Sequence, residues 1–419
     1  MMRNGVLLAL IRSESRSTER FHSSWSSKEI RNKADIAVRP QFNFRGLQMN
    51  SECLLLTGAS GLVGRMLIPV LQKHYPERTI VALVRQPEQA ARLEMQGIQT
   101  VFGDLARPRL GLAPSEYARL AISVTEILHV AASVRFDLSL EKSRVVNVGG
   151  VREILLLAES CAGLRKFGHV STTFVNGYRE GVFDEEPMAP GQEFINPYQQ
   201  TKFEAEGLVL EAMGHLPAAI YRIPVLLADS EDGVVSQFGY FHHLLRMLPD
   251  SILPVMPGDP DVLADMVPAD WAAASLAYLF DFRFTEASIR HLCAGVQRSM
   301  RLGDMMARVS GAIGRHPSYP RGRSVRFPRL VSNAEYDDFV KNCGNRALRF
   351  IANSVGRHVH IMGMRQGYLT TKAQSDLAGS GLLLPDMLSC LENTVTYCLD
   401  TEWGRKPLEH QACAAYATR

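Results

Sequence analysis

Nowhere in the 419 residues does an apolar run approach the roughly 20 that a membrane-spanning helix needs, so no span is expected. The seven cysteines are Cys53, Cys161, Cys293, Cys343, Cys390, Cys398 and Cys413. They include no CxxC pair and no Cys/His metal spacing. The expectation is free buried thiols in a reducing compartment, and with it a cytoplasmic location. Neither sign of charge dominates: 46 basic residues stand against 43 acidic, a net charge of +3. That balance argues against a nucleic-acid partner. No internal repeat is visible. With 46% hydrophobic and 21% charged residues, the chain as a whole is neither disordered nor fibrous and can bury a large core.

Residues 1–48 stand apart from the rest. They are rich in Arg and Ser and show no sustained periodicity. Gly5–Ile11 is apolar but short and lacks a small-residue cleavage site, which speaks against a secretory signal. The Arg/Ser bias is like that of a transit segment, while Glu14, Glu19, Glu29 and Asp35 count against one. Met49 stands directly before the first expected strand, as an initiator would. The expectation is a disordered or non-native extension.

What the chain does contain begins at Cys53–Leu56, an apolar run fit for a buried parallel strand. Thr57-Gly58-Ala59-Ser60-Gly61-Leu62-Val63-Gly64 follows, and then the amphipathic stretch Arg65–Lys73. Strand, glycine turn and helix together make a dinucleotide-binding hypothesis. Glycines admit a pyrophosphate close to the backbone, and the helix start offers unpaired N–H groups. The second strand, Thr79–Val84, ends in Arg85, where an acidic residue would bind a ribose 2′-hydroxyl. An Arg there suits a 2′-phosphate, with Arg92 further along, so NADP(H) is the expected cofactor. After a third strand, Thr100–Phe102, Asp104 is placed to meet the adenine amino group. After a fourth, Glu126–His129, the small residues Ala131 and Ala132 let the backbone approach the cofactor. His129 itself is expected to be a packing residue.

The chemistry is expected further on. A fifth strand, Phe167–Ser171, runs into Thr172 and Thr173. In Asn196-Pro197-Tyr198-Gln199-Gln200-Thr201-Lys202, Pro197 fits a helix start, and Tyr198 and Lys202 share one helical face. A free phenol is a poor acid at neutral pH, and a neighbouring ammonium would lower its pKa. Thr172 would hold a substrate carbonyl oxygen beside Tyr198, which supplies a proton as hydride arrives. Lys202 would also hold the nicotinamide ribose.

In this order, residues 57–64, Leu83-Val84-Arg85, Gly103-Asp104-Leu105, His129–Phe136, Asn147–Gly150, His169–Thr173, Tyr198/Lys202, Tyr221–Pro224 and Asp265–Trp271 resemble the extended short-chain dehydrogenase/reductases. Within them the chain resembles the thioester-reductase and fatty acyl-CoA reductase branch, the male-sterility type, over roughly 50–295. The resemblance implies an α/β fold: a doubly wound Rossmann parallel sheet with a smaller, mainly helical C-terminal substrate lobe. It implies a Rossmann domain over 49–235, completed by about 262–295, and a lobe from 236–261 and 296–419. It implies Thr172, Tyr198 and Lys202 as catalytic triad, with the neighbouring Ser171 and Thr173 offering alternative hydroxyls. Asn147 is implied as a supporting residue, and Pro224 and Val225 as a border to the nicotinamide. Leu105, Ser133, Val170 and Ser171 join the implied cofactor set. Gly150, where many relatives have Thr, and Ile223-Pro224-Val225, a variant of Arg-Pro-Gly, depart from the pattern.

The implied activity is reduction of a carrier-protein or coenzyme A thioester to aldehyde or alcohol. A ketone or hydroxyl dehydrogenase, a nucleotide-sugar epimerase and an NADP(H)-sensing regulator are the alternatives. The sequence carries no adenylation signature and no carrier serine motif, so a carrier would come from another chain. Arg315, Arg321, Arg323, Arg326 and Arg329 offer a docking face for an acidic carrier or a solvated loop. Phe238, Tyr240, Phe241, Leu244, Leu245 and Met247 suit a pocket lining or core packing equally. Ala334–Asn353 is expected to be helical and lid-forming, and Leu384–Thr401 a final amphipathic helix.

Overall fold

The computed structural model describes residues 52–406 except 137, 248–252 and 321–324. The expected N-terminal extension lies outside the described residues, as do Cys413, Arg321 and Arg323.

Seven strands form one sheet: β1 (Cys53–Thr57), β2 (Thr79–Val84), β3 (Gln99–Phe102), β4 (Glu126–His129), β5 (Lys166–Thr172), β6 (Ala218–Ile223) and β7 (Ser288–His291). Every pairing is parallel, in the order β3-β2-β1-β4-β5-β6-β7. Parallel sheets are covered on both faces, which is why β1 and β6 are buried at every position. The strand order reverses between β1 and β4, so a crevice opens at their C-terminal ends.

Six helices belong to this sheet: α1 (Leu62–His74), α2 (Pro87–Glu94), α3 (Pro114–Ser123), α4 (Leu140–Ser160), α5 (Pro197–Ala212) and α6 (Ala269–Phe282). α1 packs on α6, and α4 packs on α5. A core of Leu54, Leu56, Leu128, Val170 and Tyr221 continues without a break into Met305, Val309, Leu391 and Val395 of the C-terminal helices.

The C-terminal region is helical, and one short strand pair, Gly181–Phe183 with Gln366–Tyr368, joins it to the sheet domain. Val225–Leu227 pairs with Met266–Pro268, and Val255–Pro257 with Arg329–Val331. Pairings across such sequence separations leave no local pattern. The expected helix over Ala334–Asn353 is two helices, Asn333–Asn342 and Arg346–Val359. Tyr240–Met247 is also a helix, and its Phe241, Leu244 and Leu245 are core residues. Cys53, Cys161, Cys293, Cys390 and Cys398 are buried free thiols. Among the described residues no helix is long and apolar enough to cross a membrane.

Candidate active site

A parallel sheet delivers the ends of all its strands to one edge, and the expected residues gather there. At the end of β1 the buried Thr57 hydroxyl oxygen accepts the Val130 and Ala131 N–H groups, each at 3.2 Å. The glycine turn is thereby tied to the loop after β4. Gly58 has φ +74°, and a Cβ on it would stand 2.7 Å from the Ala131 nitrogen. A Cβ on Gly64 would stand 2.3 Å from the Gly58 carbonyl oxygen. The turn therefore needs glycine at both positions.

Gly61, the N-cap of α1, makes no side-chain cap, and the first turn, which includes Leu62 and Val63, carries no acid. Ser60 faces its carbonyl to Arg65 Nε at 2.8 Å. The helix start thus keeps its N–H groups and positive dipole end for an anion. These residues fit the pyrophosphate of a dinucleotide.

Arg85 is exposed at the end of β2, where the second strand was expected to meet the ribose. Arg92 lies in the last turn of α2, about 7.5 Å along the axis from Pro87. Asp104 spends one carboxylate oxygen on the Ala106 N–H of its own turn at 3.0 Å, and Arg107 faces the other at 3.8 Å. A carboxylate accepts several bonds, so the partly exposed Asp104 keeps acceptor sites for the expected adenine contact. Leu105 packs on Gly150: a Cβ there would stand 3.2 Å from the Leu105 Cβ. That contact gives the departure from Thr at 150 a steric reason.

Asn147, buried in α4, clamps the loop after β4. Its Oδ1 accepts the Ser133 N–H at 2.8 Å, and its Nδ2 donates to the Ser133 carbonyl at 3.1 Å and to Thr201 Oγ1 at 3.0 Å. One side chain thus fixes the loop holding Ala132 and Ser133 against α5. Pro224 follows β6, and Val225 opens the short strand beside Met266.

α5 starts at Pro197, capped by the Asn196 side chain, which accepts the Gln199 N–H at 3.0 Å. Tyr198 is hydrogen-bonded to Thr172. Burial pushes the phenol up to about 12, and the Thr172 bond is the one influence lowering it. The expected lowering by Lys202 is not what acts here. The Lys202 ammonium is turned to the Val170 carbonyl at 2.8 Å and His169 Nε2 at 3.3 Å. Burial lowers Lys202 to about 8, against Glu206, which raises it. The Phe136 ring lies 5.3 Å from that of Tyr198 and 6.1 Å from that of Tyr240.

Three adjacent hydroxyls were open candidates. Ser171 meets the same helix two turns further along than Tyr198. Its hydroxyl donates to Glu206 Oε2 at 2.7 Å. Glu206 in turn holds the fully buried Arg222, whose Nη1 meets His291 Nε2 at 3.1 Å. The residue reading missed this pair. Two signals were available: Glu206 continues the i, i+4 face of Tyr198 and Lys202, and Arg222 is a charge inside the apolar strand Ala218–Ile223.

Two arginines of the expected docking stretch, Arg315 and Arg329, are in ion pairs. Arg308 and Arg315 both pair with Glu392, and Arg329 pairs with Glu335.

With the geometry in view, the comparisons decide the family. Residues 56–276, more than half of the chain, match the model of an NAD-binding family described as "Male sterility protein". The chain belongs to that family. Its match spans the β1 turn, the Thr172–Tyr198 pair and Lys202. The Glycine betaine reductase of Emericella nidulans is 30% identical over 272 residues, 58% of this chain and 21% of that protein. A linear gramicidin synthase polypeptide from Brevibacillus parabrevis is 31% identical over 58% of this chain and 5% of its own length. Fatty acyl-CoA reductase 1 of Rattus norvegicus is 26% identical over 52% of each chain. This male-sterility-family chain therefore spans about half or less of these curated relatives. Among solved structures, the terminal R domain of the myxalamid PKS-NRPS pathway superposes with a TM-score of 0.68 at 23% identity, covering 85% of this chain and 93% of that one. At that identity the likeness establishes the fold.

Proposed function

We propose that this male-sterility-family chain is an NADPH-dependent reductase of an acyl thioester, held on coenzyme A or on a separate carrier protein, yielding an aldehyde or alcohol. The observation that carries this reading is the Thr172–Tyr198 hydrogen bond beside a buried Lys202, on the edge where the glycine turn fits a dinucleotide. Two relatives named as reductases, of glycine betaine and of fatty acyl-CoA, support it. The exposed Arg85 at the end of β2 supports NADPH over NADH. The free thiols and the charge balance support a cytoplasmic setting without nucleic acid.

When bound, the nicotinamide supplies the hydride. The chain's own residues do the rest. Thr172 and Tyr198 hold the thioester carbonyl oxygen, where negative charge develops. With its pKa pushed up to about 12, Tyr198 is protonated at neutral pH and gives its proton to that oxygen. The Lys202 ammonium, one helical turn on and turned to the Val170 carbonyl and His169, would hold the nicotinamide ribose. The resulting hemithioacetal expels the thiol and leaves the aldehyde. Asn147 keeps the Ser133 loop and α5 in register throughout.

The test is reduced-nicotinamide consumption with a panel of acyl-coenzyme A and carrier-bound thioesters, with ketones as controls. Thioester turnover is expected, and Tyr198→Phe should lower kcat by about 10²–10⁴-fold. Turnover of ketones alone would make the chain a dehydrogenase. Tight NADPH binding without turnover of any substrate would make it a sensor.

A further inference from the structure

Two fully buried imidazoles remain without a part in that chemistry. His129 ends β4, and His169 faces it in register from β5, the rings stacked 5.4 Å apart at 16°. One end of the pair touches the dinucleotide turn. The Thr57 oxygen already accepts two backbone N–H groups, so its own proton goes to His129 Nδ1 at 2.8 Å. The other end touches Lys202. An ammonium has only donors, so His169 Nε2 accepts from it, and the ring proton sits on Nδ1.

That Nδ1 is buried and has no hydrogen-bond partner among the described residues. A buried donor left unmade is unfavourable, and such exceptions ask for a reason. The opposite tautomer would aim an N–H at the Lys202 ammonium. The orphaned donor is therefore the consequence of presenting a lone pair to Lys202. Packing alone does not require it, because an apolar ring would fill the same space without the orphan. Glu206 from α5 is the carboxylate acting on this ammonium, and Arg222 from β6 is already engaged with Glu206. Burial, with Lys202 next, keeps both imidazoles neutral.

We infer that His169 is a positioning residue: its neutral imidazole accepts from Lys202 and fixes the ammonium, while His129 aligns the ring with the Thr57 turn. The role in turnover rests on the proposed function, whereas the hydrogen bond itself does not.

Two measurements on the protein without cofactor test the bond. In the wild-type chain, nitrogen-15 NMR of the imidazoles should find His169 as the Nδ1–H tautomer. A proton on Nε2 would overturn the inference. Lys202 titration, followed by carbon-13-labelled lysine and assigned with Lys202→Arg, should shift down by about one pH unit in His169→Phe, which keeps a ring but no acceptor. His169→Gln, which restores an acceptor, should recover most of the shift. An unchanged midpoint in a folded His169→Phe chain would also overturn it. With NADPH and octanoyl-coenzyme A, His169→Phe should lower kcat about tenfold, move its alkaline limb to lower pH and leave KM within about twofold. His169→Gln should rescue kcat. Absence of wild-type turnover would count against the proposed reaction, while the tautomer and titration would still decide the role of His169.

Discussion

Both ends of the sheet bury an ion pair, yet the two pairs touch different things. At the N-terminal ends of the strands, Arg78 lies between Asp281 at 2.6 Å and Glu126 at 3.2 Å, with His74 on Asp281 at 2.8 Å. These contacts join the start of β2, the start of β4 and the end of α6. They touch no residue of the candidate site. At the C-terminal ends, Glu206 and Arg222 make the same kind of pair, but Glu206 also holds Ser171 next to Thr172 and stands one turn beyond Lys202. One pair ties elements together. The other ties the site to β6, β7 and, through His291 Nδ1 at 2.8 Å from the Leu369 carbonyl, to the C-terminal region. Burial and charge alone therefore do not mark function; connection to the reacting groups does.

Breaking each pair sharpens the contrast most. Arg222→Met leaves Glu206 buried without its guanidinium and should cost about 3–5 kcal/mol of stability in urea unfolding, and Arg78→Met should cost less, because His74 still faces Asp281 and Lys166 still faces Glu126. The activity of the folded fraction should separate them: unchanged for Arg78→Met, reduced for Arg222→Met. Equal activities would erase the distinction.

Acid should reach the C-terminal end through its histidines. Burial lowers His129 and His291 to about 3, far below the ordinary imidazole value. Between about pH 3 and 6.5 the unfolded chain therefore binds more protons, so stability falls as pH falls. The slope is about 1.4 kcal/mol per pH unit for each such histidine. Unfolding midpoints at successive pH values should show it, and His129→Gln should make the decline shallower.

Smaller effects test the cofactor edge. Gly58→Ala places a methyl against the Ala131 nitrogen and should weaken NADPH about tenfold, by titration of intrinsic fluorescence, with little change at the Arg78 end. Arg85→Ala should weaken NADPH several-fold and NADH hardly at all. Equal losses would remove the argument for the 2′-phosphate.

Much of this molecule was legible before folding. The glycine turn, the strand ends and the Tyr198–Lys202 spacing are local patterns, and a parallel sheet must bring strand ends to one edge. Hence the sheet and the placing of Thr57, Ala131 and Tyr198 follow from periodicity and order. Other features are not local. Ser171, Thr172 and Thr173 are equivalent hydroxyls in the sequence, and only the packing of the end of β5 along α5 gives Ser171 to Glu206 and Thr172 to Tyr198. Asp104 looks wholly free, yet one of its oxygens accepts the Ala106 N–H of its own turn. Arg315 and Arg329 look like free cations until Glu392 and Glu335 fold against them.

The sequence by itself determined which chemistry is available: a glycine turn open to phosphate, and a phenol and an amine on one helical face. Those follow from residue type and from spacing within a single element. Only the tertiary structure decided how those groups are tuned, because desolvation and hydrogen-bond direction arise from residues far apart in the chain. It raised the Tyr198 phenol, lowered Lys202, turned the ammonium toward Val170 and His169, and set Glu206 and Arg222 behind them.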